Sequence, residues 1–345
     1  MAKLLVTGGA GFIGSHLCEA LLKRGDDVFV IDDLSTGRME NIAHLQDNKS
    51  FHLTIGSILD VSTLGPLVRR ADTVFHLAAA VGVQKIIEAP VDTIETNILG
   101  SHNLLSQAAR YGTLCVLAST SEVYGKSTKY PFCEDDDSVY GPTTKSRWSY
   151  ACSKAIDEFL ALAYHKSQRL PVIIARLFNT TGPRQTGQYG MVLPRFVDQA
   201  LRGKPLTVFG TGHQTRCFAD VSDIVRALLL LAAHPKAVGQ VFNVGNPEEV
   251  SIYDLARLVK TLAESKSEIR LVPYDEAYQP GFEDMERRVP SIDKIARLVA
   301  YHPKVKLQNI VSRFIDARRQ ELAAAERLPV TAALQSQPLR AGVGE

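Results

Sequence analysis

No stretch of this sequence is long and apolar enough to cross a bilayer. A membrane helix needs roughly 18 or more apolar residues in a row, and the nearest candidate, Ala227–Ala233, is far shorter. An excess of one charge sign is missing too: 39 basic and 37 acidic residues leave a formal net charge of +2, so no overall field selects nucleic acid or a membrane surface. Five cysteines, at 18, 115, 133, 152 and 217, are odd in number and scattered, with no Cys-x-x-Cys pair. They argue against a disulfide framework and a metal site and for reduced thiols in a cytoplasmic protein. Lys3–Thr7 already reads as a strand, which leaves no room for a secretory signal ahead of it.

What is present is ordinary globular composition, 45% hydrophobic and 22% charged over 345 residues, enough to bury one large core or two lobes. Short β-branched runs at 4–7, 27–31, 50–54, 73–77, 113–118 and 172–177 alternate with amphipathic stretches. That rhythm predicts βαβ units: an α/β fold with a doubly wound parallel sheet. After Arg176 the pattern loosens under Pro and Gly, including Gly187 and Gly190, as expected of a smaller C-terminal substrate-binding lobe. Val241–Val244 reads as one more buried strand, so the two lobes interleave. The expected division is 1–176 for the sheet domain with a returning strand near 238–250, 177–320 for the lobe, and 321–345 for a flexible tail.

The first strand ends in Thr7-Gly8-Gly9-Ala10-Gly11-Phe12-Ile13-Gly14, and Ser15–Lys23 has helical spacing. Glycines at 8, 11 and 14 permit a tight turn, close approach to a pyrophosphate and helix-on-strand packing, with helix amides facing the phosphates. This is a Rossmann-type dinucleotide site. Asp32 ends the next strand, where a carboxylate accepts from the adenosine ribose hydroxyls and repels a 2′-phosphate, so NAD is favoured over NADP. Taken alone, Asp32 and Asp33 read as a solvated turn before Leu34-Ser35-Thr36-Gly37, and Arg38 nearby could accommodate a 2′-phosphate.

Tyr150 and Lys154 stand i and i+4, on one face of a helix. An ammonium beside a phenol stabilises the phenolate and equips Tyr150 as a general base. By itself Tyr-x-x-x-Lys is more often a core tyrosine beside a snorkelling lysine. Three features favour chemistry: Ala118-Ser119-Thr120-Ser121-Glu122-Val123-Tyr124-Gly125 follows a strand at the carboxyl edge of the sheet, Phe75-His76-Leu77-Ala78-Ala79 ends another there, and Asn97 falls on a neighbouring helix.

Over roughly residues 1–315, the glycine loop, the Ser-Thr-Ser-Glu-Val-Tyr-Gly stretch and the Tyr-x-x-x-Lys pair resemble the extended short-chain dehydrogenase/reductases that act on nucleotide sugars. Lys145–Lys154, Phe178-Asn179-x-x-Gly182-Pro183-Arg184 and Glu286-Arg287-Arg288-Val289-Pro290-Ser291-Ile292 resemble the members that start from UDP-glucuronic acid. The resemblance implies catalytic roles for Tyr150, Lys154, Thr120, Ser121, Glu122 and Arg288. It implies cofactor contacts from Gly8, Gly11, Phe12, Ile13, Gly14, Asp32, Asp33, Ser35, Thr36, Gly37, Ser57, Ile58, Leu77, Ala78, Ala79 and Asn97, besides the catalytic pair. Substrate contacts are expected from Asn179, Arg216, Gln214 and Arg288, with Leu206 and Val208 on the strand that holds the uracil. Surface ion pairing is the usual fate of an arginine, but a diphosphate and a carboxylate call for several guanidinium forks. Gly56-Ser57-Ile58 departs from the Gly-Asp-Ile or Gly-Asp-Leu of many relatives, which implies either weaker adenine recognition or recognition by backbone groups.

The expected activity is NAD-dependent modification of a UDP-sugar through a 4-keto intermediate, foremost decarboxylation of UDP-glucuronic acid. UDP-sugar 4-epimerisation uses the same Tyr150, Lys154 and NAD, and a non-catalytic NAD-binding regulator is the remaining alternative. Relatives pair the helices that correspond to 92–111 and 149–165 across a two-fold axis, so a homodimer is expected.

Overall fold

The β-branched runs pair side by side in the computed structural model, which describes residues 1–81, 89–186, 191–273, 276, 285 and 287–327. Strands β1 (Lys3–Thr7), β2 (Asp27–Asp32), β3 (Phe51–Ile55), β4 (Thr73–His76), β5 (Leu114–Thr120), β6 (Val172–Leu177) and β11 (Gln240–Val244) form one sheet, ordered β11-β6-β5-β4-β1-β2-β3. Every pairing in it is parallel. The chain does return after the lobe begins, as β11 beside β6.

Parallel strands need helical crossovers and are buried on both faces, which explains their near-continuous apolar runs. Leu4 and Val6 point to one face, against Leu17 and Leu21 of α1 (Phe12–Lys23) and Ile224 and Leu228 of α6 (Val221–Ala232). Leu5, between them, points to the other face, with Leu64 of α2 (Val61–Arg70), Leu104 of α3 (Pro90–Tyr111) and Ala161 of α4 (Ser149–Gln168). A separate core holds the lobe: Phe196 of α5 (Val192–Leu201), Leu206 and Val208 of β8 (Leu206–Phe209), Leu255 of α7 (Ile252–Leu262) and Phe314 of α9 (Leu307–Arg327). Short pairs complete the lobe and its seam: β7 (Thr180–Thr181) with β10 (Ala219–Asp220), β9 (Thr215–Cys217) with β12 (Glu249–Ser251), and β13 (Ile269–Val272) with β8. Helix α8 (Asp293–Val299) packs beside β11, with Ile295 in the sheet core.

Three boundaries differ from those read in the sequence. Helix α1 starts at Phe12 rather than Ser15, because the Gly11 amide bonds Gly8 O and Ser15 N already bonds Gly11 O. Strand β5 runs on through Thr120, with Ser119 and Thr120 in register with Arg176 and Leu177. The last helix continues through Arg327. Gly187, Gly190, Glu286 and the tail beyond 327 lie outside the described residues.

One buried ion pair ties the sheet to α4. Arg176 of β6 donates to both carboxylate oxygens of Glu158, Ser119 Oγ donates to the same carboxylate, and Arg176 also reaches Tyr124 and the Glu134 carbonyl. Removing one partner leaves a buried charge uncompensated. Glu158→Ala is therefore expected to lower stability by about 3–5 kcal/mol, read by urea denaturation, whereas Glu158→Leu combined with Arg176→Met costs much less.

Candidate active site

The sheet order reverses between β1 and β4, and at such a switch point a crevice opens outside the carboxyl ends of the strands. Here it is a cleft of about 660 Å³. Its floor depends on missing side chains. Gly8 has φ +74, and a Cβ on it would stand 2.8 Å from the Ala78 amide nitrogen. A Cβ on Gly14 would stand 2.1 Å from Gly8 O, so this glycine lets α1 close on β1. Gly11, Phe12, Ile13 and Gly14 therefore bring the N-terminus of α1 to the cleft wall. Backbone amides there are suited to phosphate oxygens.

Asp32, at the end of β2, is buried; its Oδ2 accepts from Ala10 N and its Oδ1 from Leu34 N. Burial pushes its carboxyl up, and those amides oppose the shift. Gly37 does not line the cleft; it supports Asp32, since a Cβ there would press within 2.6 Å of Oδ1. Asp33, Ser35, Thr36, Ile58, Leu77, Ala78 and Ala79 line the same end of the cleft, joined by Arg38, Asn41 and Gly56. Ser57 does not; its hydroxyl accepts from Leu59 N.

All six expected catalytic residues, Thr120, Ser121, Glu122, Tyr150, Lys154 and Arg288, face this one cleft. Strand β5 delivers Thr120, and a 3-10 turn over Ser121–Tyr124 carries Ser121 and Glu122. Tyr150 lies in the first turn of α4 and Lys154 one turn deeper. Ser121 Oγ is buried and has no hydrogen-bond partner among the described residues. Glu122 lies 3.5 Å from Arg288, with both side chains largely buried. Asn179 lines the cleft beside them, its Nδ2 donating to Cys217 O.

Several expected contacts fall elsewhere. Asn97 is buried between helices: its Oδ1 accepts from Ala80 N, and its Nδ2 donates to Ser153 Oγ and Ala80 O. It fixes the chain after β4 against α4 instead of facing the cleft. Leu206 and Val208 point into the lobe core. Gln214 donates to Phe209 O, and Arg216 of β9 donates to Thr215 O, neither lining the cleft. The cleft also includes Arg184, Gln185, Thr186 and Met191, of which only Arg184 stood in a recognisable motif. Behind Lys154 lies a buried polar set, Asp157, Ser101, His76 and Thr7; His76 and Thr7 end strands already quoted as motifs, whereas Asp157 and Ser101 stood in none.

The family described as GDP-mannose 4,6 dehydratase matches residues 5–314. The chain belongs to that family. Its members are extended short-chain dehydrogenase/reductases that act on nucleotide sugars. A relative from Bacillus cytotoxicus, named UDP-N-acetyl-alpha-D-glucosaminuronate decarboxylase, is 44% identical over 304 residues, 88% of this chain and 93% of its own. UDP-glucuronic acid decarboxylase 4 of Arabidopsis thaliana is 38% identical over 320 residues, covering 93% and 69%. The solved UDP-glucuronic acid 4-epimerase of Bacillus cereus, in complex with UDP-glucuronic acid and NAD, superposes with a TM-score of 0.84 at 31% identity, covering 92% and 99%. Within the family frame, the glycine loop and the Tyr150/Lys154 helix meet at one cleft.

His76 ends β4 with Nδ1 2.8 Å from Thr7 Oγ1 and Nε2 3.1 Å from Ser101 Oγ. Burial, then the Lys154 ammonium, lowers its pKa from 6.5 to about 3. The unfolded chain therefore binds a proton below about pH 6.5 that the folded protein refuses, and stability falls as pH drops from 6.5 towards 3. The expected slope from this group approaches about 1.4 kcal/mol per pH unit. Urea denaturation at stepped pH should show that slope reduced in His76→Asn.

Proposed function

We propose that this protein uses NAD to decarboxylate a UDP-linked uronic acid, UDP-glucuronic acid in the simplest case, to the UDP-pentose or its 4-keto precursor. The observation that carries the reading is the Glu122–Arg288 pair, 3.5 Å apart in the same cleft as Tyr150 and Lys154. A guanidinium so placed can fork a carboxylate, and oxidation alone would not require one. The names of the Bacillus and Arabidopsis relatives support the same chemistry.

The cleft fits NAD: the bare backbone at Gly8, Gly11 and Gly14 leaves room for a pyrophosphate, and Asp32 and Ser35 lie where an adenosine ribose would end. Bound NAD supplies a hydride acceptor at the first step and a donor at the last. Tyr150 takes the proton of the sugar 4′-hydroxyl while Thr120 shares that hydrogen bond and Lys154 stabilises the phenolate. Once C4′ is a ketone, the C6 carboxylate is β to it. Its C–C bond then breaks to release CO2, with the electron pair spread into an enolate. Arg288 and the unpartnered Ser121 hydroxyl hold the carboxylate, and Glu122 and Ser121 deliver the proton that C5 needs. Tyr150 returns its proton to O4′ when the ketone is reduced. Asn179 and Arg184 serve the diphosphate.

Purified protein with NAD should convert UDP-glucuronic acid to a product lighter by CO2 in mass spectrometry; the N-acetylated uronic acid tests the C2 substituent. A product of unchanged mass and altered retention would replace this reading with 4-epimerisation. Tyr150→Phe should lose about 10²–10⁴-fold of the rate, and undiminished turnover would point to a non-catalytic NAD-binding role for the cleft. Arg288→Met should still reduce NAD, read as absorbance of NADH, but release little CO2.

We also propose a homodimer in a compartment that keeps thiols reduced. Val91, Ile94 and Leu99 of α3 and Ile156 and Phe159 of α4 are exposed apolar side chains on two helices packed together, Phe159 at 76%. Water contact over such a patch is costly. All five cysteines are free thiols. In sedimentation, the wild-type chain should run as a dimer and Phe159→Asp as a monomer.

A further inference from the structure

Lys154 is not the only buried charge on the inner side of α4. One turn on, Asp157 accepts from Lys154 Nζ at 2.8 Å, with side-chain exposures of 3% for the lysine and 0% for the aspartate. An ammonium stripped of water to that degree needs a counter-charge. On its other side the aspartate's Oδ1 is buried without a hydrogen-bond partner among the described residues; the Ser101 hydroxyl of α3 is the nearby donor group, Ser101 Oγ meets His76 Nε2, and His76 Nδ1 meets Thr7 Oγ1 at the end of β1. With His76 neutral, one polarity runs along the row and leaves the Ser101 proton free to turn towards Asp157. Thr7 donates to Nδ1 and the Nε2 hydrogen goes to Ser101. Of these five side chains only Lys154 is a cation.

Other charged and titratable groups lie on the elements packed around the pair. Glu158 is the next residue of α4 and acts on Asp157, and His76 of β4 feels Lys154; Tyr150 of α4, Glu122 of the turn after β5 and Asp92 and Glu95 of α3 line the cleft with Lys154, and Arg176 of β6 pairs with Glu158. Glu158 is answered by Arg176, and Glu122 is set against Arg288. Asp157 is the carboxylate whose charge is spent on Lys154.

We propose that Asp157 is a positioning residue for Lys154: its carboxylate holds the ammonium on the inner side of α4, charged, where it assists the Tyr150 phenol. The proposal rests on the reading of Tyr150 and Lys154 as the catalytic pair. Asp157→Asn keeps the shape and removes the charge; Asp157→Glu restores the charge; Asp157→Ser is a smaller neutral probe should the amide fold poorly. In the NAD-loaded protein with UDP-glucuronic acid, the pH below which kcat/KM falls should move up by about one unit or more in the neutral variants. It should return towards wild type in Asp157→Glu. A limb that stays in place or moves down overturns the proposal. A nitrogen-labelled lysine NMR titration of the same holoprotein reads the ammonium without substrate, with the Lys154 signal assigned by its loss in Lys154→Met. That signal should vanish at lower pH in Asp157→Asn, and an unchanged titration overturns the proposal. A shifted titration with no product from any UDP-uronic acid would instead count against the decarboxylase reading alone.

Discussion

The close approach of bare backbone at Gly8 and Gly14 is the constraint on which the site depends. Gly8 meets Leu77 and Ala78 at the end of β4, and Gly14 meets Gly8 at the end of β1. Two neighbouring strands and a helix N-terminus thus converge at van der Waals distance, and no side chain stands between them. Any Cβ there would push α1 off the sheet and close the part of the cleft suited to a pyrophosphate. The same convergence brings the end of β4, and with it His76, against Thr7.

Around that seam the molecule separates two kinds of polar burial. On the β5, β6 and α4 side, Glu158, Arg176, Ser119 and Tyr124 satisfy one another and hold the strand that ends in Thr120. On the β1 and β4 side, Lys154, Asp157, Ser101, His76 and Thr7 form a second set, one residue of which reaches the cleft. Buried polar groups of this kind fix geometry where they are satisfied, and in the second set Asp157 Oδ1 alone has no hydrogen-bond partner among the described residues. Both sets include residues of the helix that carries Tyr150 in its first turn, Glu158 in one and Lys154 and Asp157 in the other.

The lobe supplies what the sheet cannot. Arg288 follows Met285 and Arg287 on a segment from the far side of the chain, and the bridge between Phe132 and Pro290 sets it against the turn that carries Glu122. Its neighbour Arg287 is anchored outside the cleft by Glu249. One arginine of the pair therefore braces the lobe and the other lines the cleft.

Local pattern was enough for the parallel sheet, the glycine loop, Asp32 and the Tyr150/Lys154 helix, because period, turn chemistry and helical spacing act over a few residues. The returning strand at Gln240–Val244 was legible for the same reason, as a short buried apolar run. Which residues face the cleft was a different matter. Asn97 turned to tie the chain after β4 to α4, Leu206 and Val208 turned into the lobe core, and Gln214 and Arg216 bonded backbone carbonyls of their own lobe. Asp157 carries no motif, and the row behind it joins His76 to Ser101, 25 residues apart, and to Thr7, 69 residues apart along the chain. Spacing determines which face of an element a side chain occupies; only the packing of elements against one another decides what that face meets.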